Sequence, residues 1–295
     1  MKKQKAGLYP LQVWLVYIFL VIVWGASYFF IKRGLVVFNP AQIAMIRIGV
    51  ASAGLLPVAI FYLNKQIKLP LLPLFLAGIF GNLIPAFLFS IAQQFIQSST
   101  AGILNSLTPV FTLLFGAWLF STEITWRKVA GICLGLIGAI SLVLLKPGGG
   151  IESNVKYGAL IILATGFYGI NINILKKHFH DVPAAAVSAI CLLMIGPICW
   201  AGLFFSDVFY KLSTVQGAWE SFMYLVILGF LNTAIALVLF NWLIKQTSAL
   251  FASTGTFLTL IISILLGALD HEAITGMHLA GMCVILTGVW LTTRS

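Results

Sequence analysis

Apolar residues dominate this chain in long runs, which short polar or basic stretches separate. The runs show no strict alternation of apolar and polar positions, so they predict helices rather than strands. Each run has about 20 residues, enough to cross the hydrocarbon core of a bilayer as one helix. Ten helices are predicted, at residues 11–31, 41–63, 71–94, 100–120, 126–145, 157–175, 183–205, 221–244, 249–269 and 276–293.

The first apolar run follows a short basic lead with Lys2, Lys3 and Lys5, a pattern that secretory signal peptides share. This run is longer than the apolar region of such a peptide, and it ends in a basic pair at residues 32–33. We therefore expect it to be retained as a membrane helix.

The segment at 99–143 recurs at 248–291, with an offset of 149 or 150 residues. Ser99 aligns with Ser248 and Gly138 with Gly288. The aligned positions also include Glu123 with Glu272, in matching hinges. The better interpretation of this acidic pair is a structural hinge. A chain that repeats at half its length is typical of a duplicated architecture.

A run of Pro and Gly at 146–150 separates the two halves. The predicted units are a first repeat at 1–146, a linker at 147–156 and a second repeat at 157–295. Five helices in each half would reverse the orientation of the second half in the membrane. The predicted fold class is therefore an all-α membrane protein, with ten transmembrane helices in two inverted-topology five-helix repeats.

Composition supports a membrane protein, because 61% of the 295 residues are hydrophobic and only 8% are charged. A soluble domain has about a quarter charged residues. The net charge of +10 does not indicate nucleic-acid binding, since the basic residues lie mostly between the apolar runs. Eleven of the 17 Lys and Arg fall on the N-terminal side of the membrane and five on the other. This bias predicts a multi-pass protein of the cell (inner) membrane with both termini cytoplasmic.

Polar side chains within the spans mark a candidate cavity, because they are unfavourable in lipid unless they pair or line water. Arg47 is the one formally charged residue well inside a predicted span, and it is a candidate contact for an anionic substrate. Snorkelling or pairing with carbonyls is the alternative for Arg47, and interhelical hydrogen bonding is the alternative for each of the others. The other candidates are Trp24, Ser27, Tyr28, Asn82, Gln93, Asn105, Thr108, Pro109, Tyr168, Asn171, Asn232, Asn241, Trp242 and Thr254.

Two prolines sharpen this set, because proline cannot donate the helical hydrogen bond to the carbonyl four residues earlier. Pro85 frees the carbonyl of Gly81, and Pro109 frees that of Asn105. Freed carbonyls within a membrane are tolerated where they line a cavity or find a partner. The third and fourth helices are therefore predicted cavity walls. In the second half, Asn105 maps onto Thr254 and Pro109 onto Leu258, so the site is not symmetric.

No Asp or Glu falls inside a predicted span, although proton- and sodium-coupled carriers usually place a carboxylate there. The energy source stays open between uniport, exchange and proton antiport. The four cysteines lie in apolar runs without metal-ligand spacing, so we expect small buried apolar side chains. Phosphate-binding loops and hydrolase motifs are also missing from the sequence. We expect no enzyme activity, no cofactor and no metal site.

Together these features resemble the EamA-type ten-helix transporters of the drug/metabolite transporter superfamily, over nearly the whole chain. The resemblance is carried by Trp24-Gly25-x-Ser27, Pro40 with Arg47, the run 98–101 leading into 107–109, Glu123, Gly131, Gly138, the run 247–249, Glu272, Gly281 and Gly288. Two positions depart from the pattern. Leu258 stands where a proline is often found, and Ile190 stands where Arg47 would map.

The resemblance implies a transporter that exports or exchanges small metabolites, amino acids among them, by alternating access through a central cavity. Its implied cavity lies between helices 1, 3, 4, 6, 8 and 9, with helices 5 and 10 at the periphery. A channel-like facilitator is the alternative, and a membrane-embedded lipid enzyme a more distant one. The expected partners are a small-molecule substrate and membrane lipid, not nucleic acid, and the oligomeric state is open.

Overall fold

A computed structural model describes residues 10–67, 69–120, 125–144, 155–271 and 276–293. Within these ranges every regular element is a helix, which agrees with the all-α prediction. The predicted linker lies almost entirely outside the described residues, and so do Glu123 and Glu272.

The long helices are numbered α1 to α10 in chain order. They are α1 Leu11–Leu35, α2 Pro40–Asn64, α3 Leu71–Ala92, α4 Ser98–Leu119, α5 Trp126–Leu144, α6 Val155–His178, α7 Ala184–Phe204, α8 Ala218–Gln246, α9 Ala249–Leu269 and α10 Gly276–Thr293. Over the described residues, eight of them are long and apolar enough to cross a membrane, and α5 and α10 are outside that group. Their ends lie within a few residues of the predicted bounds. A short helix, Val208–Thr214, lies between α7 and α8.

Side-chain caps fix the start of two helices. At α2, the Asn39 side chain accepts from the Gln42 backbone N–H, and the Gln42 side chain accepts from the Asn39 backbone N–H. Pro40 takes the first helical position, where a backbone donor is not needed. At α9, the Ser248 side chain accepts from the Phe251 N–H.

Three irregular points interrupt the helices near mid-length. The α3 helix contains a π-helical turn at Ile79–Leu83, and α8 contains one at Phe230–Ile235. The α4 helix breaks between Asn105 and Thr108, where the Thr108 hydroxyl donates to the Asn105 carbonyl at 2.7 Å. This bond satisfies the carbonyl that Pro109 leaves free. By contrast, α2 and α7 continue through their internal prolines.

The helices of the two halves pack against one another in exchanged pairs. The α1 helix packs on α9 and α6 on α4, while α3 packs on α7 and α8 on α2. Gly25 of α1 approaches the Thr259 carbonyl so closely that a Cβ would lie 2.9 Å from its oxygen. Gly169 of α6 packs in the same way against α4, because a Cβ added there would lie 2.8 Å from the Thr112 backbone nitrogen. The α2 helix also packs on α7 and α5 on α10.

Two pairs of side chains tie α1 to α9. The Tyr17 hydroxyl and the Thr254 hydroxyl share a hydrogen bond of 3.0 Å, and Arg33 forms an ion pair with Asp270. In each pair the partners are 237 residues apart in sequence. The two helices therefore run parallel to each other, without a shift along their axes between the two contacts.

A polar cluster holds the start of α2 against the segment after α7. Asp207 accepts a hydrogen bond from the Gln42 amide and lies 3.3 Å from the Lys211 amine. Partial desolvation raises the pKa of the Asp207 carboxyl, but Lys211 and Gln42 outweigh this effect and hold it below its ordinary value. Asp207 and Lys211 lie between the spans α7 and α8, and Gln42 lies in the first turn of α2.

The cysteine prediction is correct for two side chains and wrong for two. Cys191 and Cys199 on α7 are buried, whereas Cys133 on α5 and Cys283 on α10 are exposed. The physical reason is the position of α5 and α10, whose outer faces carry these residues with no described helix covering them. All four thiols are free.

Candidate substrate cavity

A cavity of about 100 Å³ lies among the irregular points of the helices. Its walls come from α1, α2, α3, α4, α6, α8 and α9, so α2 joins the six helices that were expected. One water needs about 10–15 Å³ on this measure, so the space admits a small metabolite rather than a single water. Ten of the predicted residues line it: Trp24, Ser27, Tyr28, Arg47, Asn82, Asn105, Thr108, Tyr168, Asn171 and Asn232.

The other five predicted residues lie outside the lining: Gln93, Pro109, Asn241, Trp242 and Thr254. Three of them make the interhelical hydrogen bonds that the sequence left as an alternative. Gln93 donates to the Tyr28 carbonyl at 2.9 Å, and Asn241 donates to the Ser188 hydroxyl at 2.8 Å. Thr254 is the partner of Tyr17 described above. Pro109 is buried in α4, and Trp242 is half-buried on α8.

Arg47 brings a positive charge to the cavity. It lies seven residues into α2, roughly 10 Å from the start of that helix. Its Nε donates to the Thr233 hydroxyl at 2.8 Å, and Tyr168 lies within electrostatic reach of the guanidinium. The ion pairs found in the described part of the chain involve Arg33, His180 and Lys211 rather than Arg47. Besides the Nε–H that bonds to Thr233, the guanidinium has four further N–H donors on its two terminal nitrogens.

Asn232 joins α8 to α1 at the second π-helical turn. Its amide nitrogen donates to the Val23 carbonyl and, at 2.9 Å, to the Ser27 hydroxyl. In return, Trp24 of α1 donates its indole N–H to the Asn232 backbone carbonyl at 3.1 Å. These bonds fix both the amide and the indole at the cavity wall.

Asn82 occupies the matching position in the first half, 150 residues earlier. It lies in the π-helical turn of α3 and is buried, with 8% of its surface exposed. Among the described residues, the partner of its amide nitrogen is the Cys191 sulfur, at 3.9 Å. The amide of Asn82 is therefore held more weakly than that of Asn232, because a thiol is a poor acceptor.

Aromatic rings form the apolar part of the wall. Trp24 and Phe240 meet edge to face with centroids 4.9 Å apart. Tyr28, Phe89 and Tyr168 form a second group, with centroids separated by 5.9 Å and 6.1 Å along the series. The cavity thus combines one cation, several amides and two aromatic groups, which suits a small amphipathic solute.

Sequence reasoning missed several lining residues. Thr233 follows Asn232 in an apolar run, and its polarity alone was a usable signal. Ser253 lies one residue before Thr254, on the neighbouring face of α9. Phe89 and Phe240 have no such signal, because an apolar residue in a span looks the same whether it faces lipid or a cavity.

The described residues offer no group of three or more His, Cys, Asp or Glu side chains that could hold a metal ion. The cavity wall itself holds amides, hydroxyls, phenols and one guanidinium, but no carboxylate or thiol nucleophile. This set is suited to binding by hydrogen bonds and charge.

Comparison with known proteins gives a family match for both halves. The profile of the EamA-like transporter family matches residues 12–144 and again residues 156–294. The uncharacterized inner membrane transporter YedA of Escherichia coli is 26% identical over 280 residues, which cover 93% of this chain and 88% of that protein. An uncharacterized transporter of Archaeoglobus fulgidus is 26% identical over 287 residues, covering 96% of this chain and 99% of that protein.

A probable amino-acid metabolite efflux pump of Salmonella typhimurium is also similar. It is 26% identical over 283 residues, covering 92% of this chain and 91% of that protein. A solved structure titled only as the crystal structure of a protein has a TM-score of 0.66 at 18% identity and covers 96% of both chains. The names of the relatives are those of transporters rather than enzymes.

Proposed function

The chain belongs to the EamA-like transporter family and is a multi-pass membrane transporter of small metabolites, and on this premise we propose that it exports or exchanges carboxylate-bearing metabolites, amino acids first. Transport proceeds by alternating access through the cavity between α1, α2, α3, α4, α6, α8 and α9. The similarity to a probable amino-acid metabolite efflux pump supports this substrate class.

The observation that carries the proposal is Arg47 at the cavity wall. A cation within a membrane span is unfavourable unless something compensates its charge. Thr233 and Tyr168 supply neutral hydrogen-bonding neighbours, and the ion pairs of the described residues leave Arg47 out. The planar guanidinium matches the geometry of a carboxylate, which it can bind through two parallel N–H bonds. A substrate carboxylate therefore completes this site.

The architecture we propose is ten spans in two inverted repeats, at 1–146 and 157–295, joined by the linker at 147–156. The exchanged packing supports it, since the α1–α9 pair has its counterpart in α6–α4, and α8–α2 in α3–α7. Two halves related by an axis in the membrane plane would give such exchanged pairs. A reporter that works only in the cytoplasm should be active when fused to the C-terminus. Activity of a C-terminal reporter that works only outside the cytoplasm would contradict this topology.

The test uses purified protein in liposomes loaded with an unlabelled amino acid mixture. We expect labelled L-leucine to enter by exchange, with a rate that saturates and that rises when substrate is present inside. Replacement Arg47→Gln should lower the rate at least tenfold, about the loss of one charged hydrogen-bonded contact. Arg47→Lys should recover part of the exchange rate. Lysine keeps the positive charge but loses the planar guanidinium that can bind a carboxylate through two N–H groups.

The matched control is Arg33→Gln, which removes an arginine from the α1–α9 ion pair and leaves the cavity unchanged. It should keep most of the exchange rate. If Arg47→Gln transported like the parent protein, the carboxylate site at Arg47 would be wrong. A rate that failed to saturate and ignored internal substrate would favour the channel-like alternative.

A further inference from the structure

Two cavity-lining residues each have a buried amide oxygen for which the described residues supply no hydrogen-bond partner. The two atoms are Oδ1 of Asn171 on α6 and Oδ1 of Asn232 on α8. Both residues line the cavity, and their exposed fractions are 5% and 1%. A buried acceptor that stays unpaired destabilises the protein, so such a group needs a donor from another source.

The orientation of Asn232 is fixed by its neighbours. Its amide nitrogen already donates to the Val23 carbonyl and the Ser27 hydroxyl. A flipped amide would set two oxygens, its own and that of Val23, against each other. The unpaired atom is therefore the oxygen, and the neighbouring backbone of α1 does not satisfy it.

We infer that the oxygens of Asn171 and Asn232 form an ammonium subsite, which receives the protonated amine of the substrate. An ammonium group carries three N–H donors and no acceptor, so its chemistry matches unpaired amide oxygens. Trp24, which donates to the Asn232 carbonyl, adds an aromatic ring beside the subsite, where a cation is also favoured. This inference rests on the proposed function, in which Arg47 binds the substrate carboxylate.

The spacing of the two subsites selects among amino compounds. Thr233, which holds the Arg47 guanidinium, directly follows Asn232 in the same π-helical turn. One turn of α8 therefore carries both the Arg47 partner and one of the two amide oxygens. The ligand must therefore carry both charges close together, as an α-amino acid does. We expect a molecule with its amine at the far end of a chain to fit the two subsites less well.

The experiment measures how well three unlabelled compounds compete with labelled L-leucine in the liposome exchange assay. The compounds are L-leucine itself, 4-methylpentanoate, which lacks the amine, and 6-aminohexanoate, which has it at the far end. For the parent protein we expect both analogues to compete at least tenfold more weakly than L-leucine, because each loses charged hydrogen bonds.

The variants Asn171→Leu and Asn232→Leu remove one acceptor each at similar volume. In each variant the difference between L-leucine and 4-methylpentanoate should shrink to about threefold or less, since only one acceptor remains. The matched control is Asn241→Leu on α8. Asn241 also has an unpaired buried oxygen and also donates to a serine, but it lies outside the cavity. This control should keep the preference of the parent protein.

Asn171→Leu decides the matter if Asn232→Leu fails to fold, because no hydrogen bond of the Asn171 amide is found in the described part of the chain. Equal competition by 4-methylpentanoate and L-leucine in the parent protein would overturn the ammonium subsite and leave the carboxylate site at Arg47 standing. An unchanged preference in folded Asn171→Leu would also overturn it. If L-leucine exchange itself were absent, the proposed function would fail.

Discussion

The two π-helical turns occupy matching places in the two halves but are built and anchored differently. The turn of α3 lies directly before Pro85, which cannot donate a helical hydrogen bond. The turn of α8 has no proline, and the Thr233 hydroxyl donates to the Leu228 carbonyl five residues earlier. A similar backbone irregularity thus arises from two different local causes. This difference shows that the shape of the repeat is kept while its chemistry has diverged.

The anchoring differs as well. The second turn holds the Asn232 amide against α1 and receives Arg47 from α2, whereas the first offers only the weak contact between Asn82 and Cys191. We expect the second turn to carry substrate binding and the first to act mainly as a wall. Four experiments test this comparison.

The largest effect is expected from the glycine that precedes each turn. At Gly229, an added Cβ would lie 2.7 Å from the Arg47 carbonyl oxygen and 2.8 Å from the Cβ of Val50. At Gly78, the nearest atom would be the Cys191 carbonyl oxygen at 3.1 Å. Gly229→Ala should lower the free energy of unfolding by about 2–3 kcal/mol and Gly78→Ala by less than about 1 kcal/mol. Thermal melting of the detergent-purified protein measures both, and equal losses would contradict the comparison.

The two asparagines give the next largest difference. Asn232→Leu removes hydrogen bonds to Val23 and Ser27 and should lower the free energy of unfolding by about 1–2 kcal/mol. Asn82→Leu removes only the contact with the Cys191 sulfur and should cost less than about 0.5 kcal/mol. The same melting assay applies, and a larger loss for Asn82→Leu would reverse the assignment of roles.

A smaller effect is expected from Thr233→Val, which keeps the shape of the side chain but removes the acceptor for Arg47. The freed guanidinium would no longer be oriented, so the KM for exchange should rise about threefold, equal to roughly 0.6 kcal/mol. The control is Thr247→Val, directly after α8, where the hydroxyl donates to the Leu243 carbonyl of that helix. An unchanged KM in Thr233→Val would show that the second turn does not position Arg47.

The smallest effect concerns the outer anchor of α2, the helix that brings Arg47 to the second turn. Lys211 and Gln42 hold the pKa of the Asp207 carboxyl below its ordinary value of 3.8. The stabilisation that this anchor gives is therefore complete at pH values above the ordinary pKa. It is lost as the pH falls through the lower pKa of the folded protein. Asp207→Ala should melt slightly below the parent protein at pH 7, and the difference should vanish at strongly acidic pH. The matched control is Asp181→Ala, which removes a nearly fully exposed carboxylate outside this cluster and should leave the melting temperature at pH 7 unchanged.

Much of the fold could be predicted from the sequence, because each apolar run is long enough to define a helix by itself. Pro85 and Pro109 also pointed to two of the three irregular points, since the loss of a backbone donor is a local property. The turn in α8 could not be predicted this way. It depends on Thr233 and on the packing of Gly229 against α2, which only the assembled helices create.

The candidate site was predictable to the extent that its residues are polar. Arg47, Asn171 and Asn232 stand out because polarity within a span needs a reason. The sequence could not separate these from Gln93 and Asn241, whose amides bond between helices, because both uses place a polar residue in or beside an apolar run. Only the direction of each side chain decides, and that direction depends on tertiary packing.

The two ties between α1 and α9 have a mechanical consequence. They lie 16 residues apart on both helices, which is about 24 Å along the axis. Sliding either helix along the other would break the Tyr17–Thr254 bond and the Arg33–Asp270 pair together. We therefore expect α1 and α9 to move together as one rigid unit. The residues of α1 that line the cavity lie between the two ties. Such a unit can tilt, but its two helices cannot slide past each other. A tilt that widens the cavity at one end of the unit would therefore narrow it at the other end.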